Sequence, residues 1–248
     1  MAANFWTSSH CKELLDAEKV GIVHPLDKEH GLTQEDVKII KIHMSNYIRT
    51  LSQSVKVRQR VVATAITYFR RVYTRKGFTE YDPQLVAPTC LYLASKAEES
   101  TVQAKLVIFY MKRYTKHRYE IKDMLEMEMK LLEALDYYLV IYHPYHPLIQ
   151  LLQDANLAEL KVTAWSLVND TYRTDLILTY APYMIALACI YFACIVMEKD
   201  AHTWFEELRV DMNEIKNISM EIVDYYDNYR SIPEEKINSA LNKLPQRF

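Results

Sequence analysis

Two charged side chains stand where a helical sequence leads us to expect apolar ones. Lys96 ends an apolar helical run, and Glu128 falls on the apolar stripe of a later helix, between Met124 and Leu131. An ionised carboxylate on an inward face is costly unless it is paired or hydrogen-bonded. Two interpretations follow. The pair is an internal salt bridge, or it supplies cationic and anionic anchors at the edge of a protein-binding face, where they capture a partner's backbone carbonyls and amides.

The sequence shows none of the patterns typical of catalysis or of a metal centre. It has no H-E-x-x-H, no G-x-S-x-G and no P-loop lysine, and no glycine after Gly77 to form a phosphate-binding loop. His143 and His146 have an H-x-x-H spacing with no thiol or carboxylate nearby, so we interpret them as linker histidines. The four cysteines form no C-x-x-C pair and are interpreted as buried thiols. We therefore predict no catalytic residue, no metal, no cofactor and no enzymatic activity.

An internal repeat indicates which elements position these side chains. Residues 81–94 recur as 180–193, sharing a Tyr-x-Pro start and an Ala-x-x-Cys-x-Tyr-x-Ala core. Downstream, the Asp-Tyr-Tyr ending of residues 133–138 is echoed by that of residues 221–226. A repeated supersecondary pattern indicates one module used twice.

The pattern around the repeats predicts an all-α protein of two tandem five-helix modules with an additional N-terminal helix. That first helix is capped at Ser8 or Ser9 and runs through Leu14 and Leu15, and Thr33 with Asp36 forms a capping box for the first module. Further helices are expected at 57–75, from Pro83, and at 102–116, 121–138, 145–154, 157–178, 182–197, 201–208, 211–229 and after Ser231. The expected domains are 1–33 (N-terminal helix and linker), 34–142 (first module), 143–230 (second module) and 231–248 (C-terminal helix and tail).

Charge and hydropathy argue against two classes of partner. The net charge is −2, whereas a nucleic-acid groove normally needs a basic excess, so we expect no direct nucleic-acid binding. The uncharged stretch 176–197 has the length of a membrane span, but it contains a proline and many weakly hydrophobic residues. We interpret it as a central buried helix and expect no membrane association. The N-terminus has no pattern of a signal peptide.

Two segments resemble motifs of the cyclin family. Leu93-Ala-Ser-Lys-Ala-Glu-Glu99 looks like the L-A-S-K-x-E-E segment of the cyclin box, and Met127-Glu128 with Leu131 and Leu135 is similar to the run in its fifth helix. The resemblance covers about residues 34–229. Asn4–His10 and Val168–Leu176 resemble the corresponding segments of the C-type cyclins. The resemblance implies a nuclear regulatory cyclin, which partners a cyclin-dependent kinase and the other subunits of the Mediator kinase module and regulates transcription by RNA polymerase II.

The same resemblance assigns the contacts with the kinase. It implies that Lys96 and Glu128 are the main polar contacts, and that Leu132, Tyr137 and Leu139 are hydrophobic contacts of the same helix. Phe5 and Trp6 are aromatic residues suited to an interface core, and the alternative is that they pack only on their own domain.

A second partner groove is a further hypothesis from the resemblance. It would lie between the repeats, bind another Mediator subunit or a phosphorylated ligand, and use residues of one helix, which are Trp165, Asp170, Tyr172 and Arg173. Against it, Trp165 and Tyr172 occupy repeat positions filled by Ile66 and Tyr73, which favours core packing.

The main alternative function is a cyclin-fold transcription adaptor that binds promoter DNA. Such an adaptor would need a basic face and often a zinc ribbon, and neither is visible in the sequence.

Overall fold

The chain forms two compact units. The computed structural model describes residues 4–114 and 119–245, within which all regular structure is helical, as the sequence predicts. The first module consists of Leu15–Ile141 together with the C-terminal residues from Ser231, and the second of Tyr142–Arg230 together with the N-terminal residues up to Leu14. The expected segment 1–33 is therefore divided at Leu14.

The α-helices of the described residues are named in chain order. They are α1 (Ser9–Lys12), α2 (Ala17–Val20), α3 (Pro25–Glu29), α4 (Gln34–Val55), α5 (Gln59–Val72), α6 (Pro83–Ala97), α7 (Ala104–Met111), α8 (Ile121–Ala134), α9 (Tyr145–Asp154), α10 (Lys161–Thr171), α11 (Leu176–Thr179), α12 (Pro182–Val196), α13 (His202–Glu207), α14 (Met212–Asp224) and α15 (Glu234–Asn242).

Helix α6 is the centre of the first module. It packs against α4, α5, α7 and α8, and 11 of its 15 residues are buried, which agrees with its apolar sequence. Pro83 suits the first helical turn because the N–H that it lacks would have no partner there. The carboxylate of Asp82 accepts a hydrogen bond from the backbone amide of Gln84 and so caps the helix. This core fixes the position of Lys96 at the last turn of α6.

The predicted capping box at the start of α4 is confirmed. The hydroxyl of Thr33 accepts from the Asp36 amide at 3.1 Å, while the Asp36 carboxylate accepts from the Thr33 amide at 2.8 Å. Lys243, which follows α15, donates to the same carboxylate at 2.6 Å. The C-terminal helix is thereby attached to the first turn of α4, and α15 and α4 also pack against each other.

Helix α12 is the counterpart of α6 in the second module, as the repeat predicts. Both helices contain 15 residues and begin with a proline. Helix α12 packs against α9, α10 and α14, and its residues are buried except near its C-terminal end and at Tyr183. The stretch 176–197 therefore divides into the short α11 and this buried helix. No helix of the described residues is long and apolar enough to cross a membrane.

Several predicted helix bounds are wrong. The expected helix 157–178 is three pieces, a 3-10 turn at Ala158–Leu160 followed by α10 and α11. The N-terminal helix is capped by Ser8 as predicted, but α1 ends at Lys12 instead of continuing through Leu14 and Leu15. Helix α5 ends at Val72 rather than at 75, and α7 spans Ala104–Met111 rather than 102–116, of which residues 115 and 116 lie outside the described part of the chain.

The cysteine prediction holds for three of the four thiols. All four cysteines are free, and Cys90, Cys189 and Cys194 are buried, while Cys11 is half-buried. Burial raises the pKa of Cys90 and of Cys189 above the ordinary range because the thiolate would be desolvated. These thiols pack as small apolar groups.

Candidate partner-binding site

Lys96 and Glu128 form an ion pair in the first module. The Lys96 ammonium, at the last turn of α6, lies 2.8 Å from Oε1 and 3.0 Å from Oε2 of Glu128, in the middle of α8. The packing of α6 on α8 brings the two residues together. Of the two interpretations from the sequence, the internal salt bridge is therefore present. The second interpretation depends on whether the pair is also accessible.

The two partners of this ion pair differ in exposure. The side chain of Lys96 is 41% exposed, whereas that of Glu128 is 9% exposed. The Lys96 ammonium also lies over the ring of Tyr92, 4.3 Å from its centroid. Partial burial lowers the pKa of Lys96, but the hydrogen bonds to Glu128 and Tyr92 outweigh it, and the net shift is upward. The pair thus presents a charged ammonium at the surface above a largely covered carboxylate.

An exposed apolar surface on α8 borders the ion pair. Ile121 is 40% exposed, Leu125 42% and Met129 61%, and Leu132 is half-buried. These four residues, here called the α8 stripe, follow the i, i+4, i+8, i+11 spacing of one helix face. Glu128 lies between the stripe and the buried face of α8. Exposed apolar residues grouped on one face mark an interaction site more often than isolated ones do.

Three residues of the α8 stripe were missed in the sequence analysis. Ile121, Leu125 and Met129 lie beside the buried stripe of Met124 and Leu131, so the helix is apolar over a wider arc than one packed face requires. That excess width is the signal that the sequence contains. The exposed residues can be identified from it only when one knows which part of the arc the module's own helices cover.

Helix α8 ends four residues earlier than predicted. It stops at Ala134, because Asp136 and Tyr137 adopt left-handed backbone conformations with φ of 48° and 59°. Arg75 stabilises this turn by donating to the carbonyl of Ala134 at 3.0 Å and pairing with the carboxylate of Asp136. The arginine also neutralises the negative end of the helix dipole.

The early end of α8 changes the placement of two predicted contact residues. Tyr137 and Leu139 were expected on the same helix as Leu132, but both lie beyond its end. Tyr137 is 64% exposed, and Leu139 is half-buried with its carbonyl accepting a hydrogen bond from the Tyr68 hydroxyl. Leu132 alone of the three lies on α8.

Phe5 and Trp6 lie in a 3-10 turn of the second module, Phe5–Thr7, capped by Asn4. Phe5 is half-buried and makes edge contacts with the rings of His10 and Tyr142, so it packs on its own module. Trp6 is 61% exposed, and its ring contacts the rings of Phe5 and Tyr183 in the same module. Packing on its own module therefore accounts for Phe5, and Trp6 remains available to a partner.

The four residues of the hypothetical second groove each contact other residues of their own module. Tyr172 is 1% exposed, and its hydroxyl lies 2.6 Å from Nδ1 of His143. Asp170 pairs with Arg173 and accepts from the Tyr226 hydroxyl at 2.6 Å. Burial of Tyr172 favours core packing for that residue. Trp165, half-buried against the ring of Tyr145 with centroids 4.6 Å apart, is the most accessible aromatic ring of the set.

No group of three or more His, Cys, Asp or Glu side chains in residues 4–114 and 119–245 is arranged to hold a metal ion. His143 and His146 lie at the start of the second module, and His143 is engaged with Tyr172. His146 is exposed, so only the first of the two histidines takes part in packing.

Comparison with known proteins identifies relatives along the whole chain. A family model described as Cyclin, N-terminal domain, matches residues 13–140. Cyclin-C1-1 of Oryza sativa subsp. japonica is 65% identical over 256 residues, which cover 100% of both chains. Cyclin-C of Rattus norvegicus is 40% identical over 264 residues, covering 99% of this chain and 91% of that protein. A chain in the crystal structure of the yeast RNA Pol II CTD kinase CTDK-1 complex shares the fold, with a TM-score of 0.71 at 15% identity over 94% of this chain and 84% of that one.

Proposed function

The chain belongs to the cyclin family, as a member similar to cyclin C, and from this premise we propose that it binds and activates a nuclear cyclin-dependent kinase. The kinase is proposed to be that of the Mediator kinase module, so that the complex regulates transcription by RNA polymerase II. The chain itself is the regulatory subunit, and the chemistry belongs to the kinase. The other subunits of that module are further proposed partners.

One observation carries the proposal of kinase binding, the ion pair of Lys96 and Glu128 beside the exposed α8 stripe. A kinase helix placed on the stripe buries apolar side chains that otherwise face water. This burial favours association by about 25 cal/mol for each Å² of apolar surface removed from water. Each carboxylate oxygen accepts more than one hydrogen bond, so a backbone amide of the kinase can add to the pair, while the exposed ammonium binds a carbonyl. Apolar contact supplies affinity, and the pair fixes the register.

Activation follows from which kinase element is held. In protein kinases, the ATP-binding lysine must pair with a glutamate on helix αC, and the position of that helix decides whether the site is assembled. A rigid face that binds the active position of αC better than the inactive one shifts the population toward the active state. In this proposal Tyr137 and Leu139, in the turn after α8, extend the same face.

The similarity to cyclin C supports the Mediator setting. The relatives named Cyclin-C1-1 and Cyclin-C align along nearly the full chain, and Asn4–His10 and Val168–Leu176 resemble segments of C-type cyclins. In the second module, Trp6 and Trp165 are aromatic surfaces proposed for contact with partner proteins. A net charge of −2 disfavours the alternative of a promoter-binding adaptor.

The direct test is co-purification from nuclei. The tagged full chain is expected to recover a cyclin-dependent kinase together with Mediator kinase-module subunits, identified by mass spectrometry. Glu128→Ala is expected to lose the kinase, while Lys130→Ala, an exposed position of α8 away from the stripe, is expected to retain it. Recovery of a kinase of another class would contradict the Mediator assignment. Equal recovery by Glu128→Ala and the wild type would contradict the role of the ion pair.

A further inference from the structure

The turn after α8 has a backbone conformation that its residues do not favour. The helix ends in a Schellman pattern, in which the amide of Tyr137 donates to the carbonyl of Leu132 at 2.9 Å. The amide of Asp136 completes the pattern by donating to the carbonyl of Glu133. Glycine is usual at the left-handed position of such a turn because it has no Cβ. Here Asp136 and then Tyr137 both adopt left-handed conformations without a glycine, so the turn needs stabilisation from elsewhere in the module.

Helix α5 and the residues that follow it stabilise this turn at two points. Arg75, three residues beyond the end of α5, donates to the carbonyl of Ala134 at 3.0 Å and pairs with the carboxylate of Asp136. Tyr68, within α5, donates from its hydroxyl to the carbonyl of Leu139 at 2.5 Å, and the whole tyrosine is buried. Residues 134–139, here called the α8 turn, are thus attached near both of their ends.

The second module contains the same Asp-Tyr-Tyr sequence without this arginine. On the repeat offset, Thr174 stands at the position of Arg75. Arg173, one residue earlier, pairs with an aspartate of the preceding helical turn. In this module the chain stays helical, and Tyr225 has a right-handed φ of −60°, whereas Tyr137 at the matching position has 59°. The left-handed turn is therefore found in the module that has the arginine, and the Asp-Tyr-Tyr sequence alone does not determine it.

We propose that Arg75 is a positioning residue for kinase binding, because it holds the α8 turn in the conformation that presents Tyr137 to the kinase. This rests on the proposed function, in which Tyr137 and Leu139 extend the α8 stripe. Without Arg75 the turn gains other conformations, and the apparent Kd for the kinase rises by the inverse of the fraction that stays competent to bind. Arg75 acts on affinity through the turn, so its removal cannot cost more than the contacts of the turn contribute.

Titration calorimetry of the full chain with the cyclin-dependent kinase recovered from nuclei tests the proposal. Arg75→Ala is expected to weaken binding at least about threefold, which corresponds to a fall of the competent fraction to about a third. Lys76→Ala is the matched control, because the Lys76 side chain is 33% exposed, that of Arg75 is 32% exposed, and Lys76 pairs with Glu80. Tyr68→Phe is also expected to weaken binding. Because Tyr68 is buried, that loss cannot come from direct contact with the kinase.

A rescue variant separates the conformation of the turn from a general loss of structure. Glycine adopts the left-handed conformation without steric cost, so Arg75→Ala/Asp136→Gly is expected to recover most of the affinity that Arg75→Ala loses. Asp136→Gly alone is measured beside it to control for the loss of the carboxylate. The proposal is overturned if Arg75→Ala binds as tightly as the wild type, or if the glycine variant binds no better than Arg75→Ala.

Two further measurements distinguish failure of this proposal from failure of the proposed function. Tyr137→Ala is expected to lose at least as much affinity as Arg75→Ala, because the arginine acts through the turn that carries the tyrosine. If Glu128→Ala loses the kinase while Tyr137→Ala and Arg75→Ala retain it, the role of Arg75 is refuted and the proposed function stands. If the wild-type chain recovers no kinase, the proposed function fails and the role of Arg75 fails with it.

Discussion

Replacing Lys96 by alanine is expected to destabilise the isolated chain more than replacing Glu128 by alanine. The Glu128 side chain is 9% exposed and that of Lys96 is 41% exposed. Lys96→Ala leaves a covered carboxylate without its cation, and a buried unsatisfied group costs about 1–3 kcal/mol. Glu128→Ala leaves an ammonium that water can solvate, so its cost is that of an exposed pair, at most about 1 kcal/mol.

Denaturation of the isolated variants, followed by far-UV circular dichroism, measures this difference. For a chain of this size each 1 kcal/mol corresponds to roughly 2–4 °C in Tm. The three tryptophans, Trp6, Trp165 and Trp204, all belong to the second module, whereas both substitutions lie in the first. Tryptophan fluorescence therefore follows the module that carries no substitution and serves as an internal control.

A double variant tests whether the side chains of Lys96 and Glu128 interact. Lys96→Ala/Glu128→Ala leaves no charge under the surface, so it is expected to be more stable than Lys96→Ala alone. Equal losses for the two single variants, or a larger loss for Glu128→Ala, would refute the inference that the carboxylate is the desolvated partner. Additive losses in the double variant would show that the two side chains do not interact.

Three further predictions concern the first module. Leu125→Ser and Met129→Ser are each expected to weaken kinase binding at least about fivefold in titration calorimetry, because each removes an exposed side chain that the partner would bury, while Tm stays unchanged. Asp36→Ala is expected to cost about 1–2 kcal/mol in urea denaturation through loss of the capping box and of the Lys243 ion pair. Burial raises the pKa of Asp36, but its hydrogen bonds with Lys243 and Thr33 have the larger combined effect, so its pKa in the folded state is below the ordinary value. The stabilisation is therefore complete above about pH 4 and is lost as the pH falls through the folded-state pKa. Asp36→Ala is expected to lack this acid-dependent loss of stability. Gly77→Ala is expected to lower the free energy of unfolding by on the order of 1–3 kcal/mol, which appears as a fall of several degrees in Tm. The reason is that the added Cβ would lie 2.9 Å from side-chain atoms of the segment that begins α3.

The sequence predicts the central helices because several independent signals agree there. In α6 and α12, a proline start, an all-round apolar composition and the repeat indicate the same element. At α4, Thr33 and Asp36 have side chains that satisfy backbone groups three residues away, and such a local interaction needs no tertiary information.

The ends of the helices show why local sequence is insufficient elsewhere. Asp136-Tyr137-Tyr138 and Asp224-Tyr225-Tyr226 have the same residues, yet the first forms a left-handed turn and the second enters a π-helical segment, Tyr225–Tyr229. The first conformation is stabilised by Arg75, which is 61 residues away from Asp136 in the chain. A contact at that separation cannot be read from a window of neighbouring residues.

The candidate site is partly predictable for a similar reason. A charged residue on an apolar stripe is visible in the sequence, and so Lys96 and Glu128 are identified from it. Exposure of Leu125 and Met129 is not visible, because a leucine that faces water and one that faces the core have the same local pattern. Only the packing of α6 and α7 against α8 decides which apolar arc is covered.

Comparison of the two modules separates the residues that maintain the fold from those available for recognition. Most buried positions of α8 and α14 are apolar, because a buried polar side chain needs a partner. Two buried polar residues meet this requirement in different ways: Glu128 of α8 is paired with Lys96, and Ser219 of α14 donates a hydrogen bond to the carbonyl of Ile215. A buried glutamate requires a cation within reach, which Lys96 supplies in the last turn of α6, whereas the last turn of α12 contains no basic residue. Of these two central helices, only α6 therefore ends at a charged pair, and a partner that requires that pair can bind only the first module.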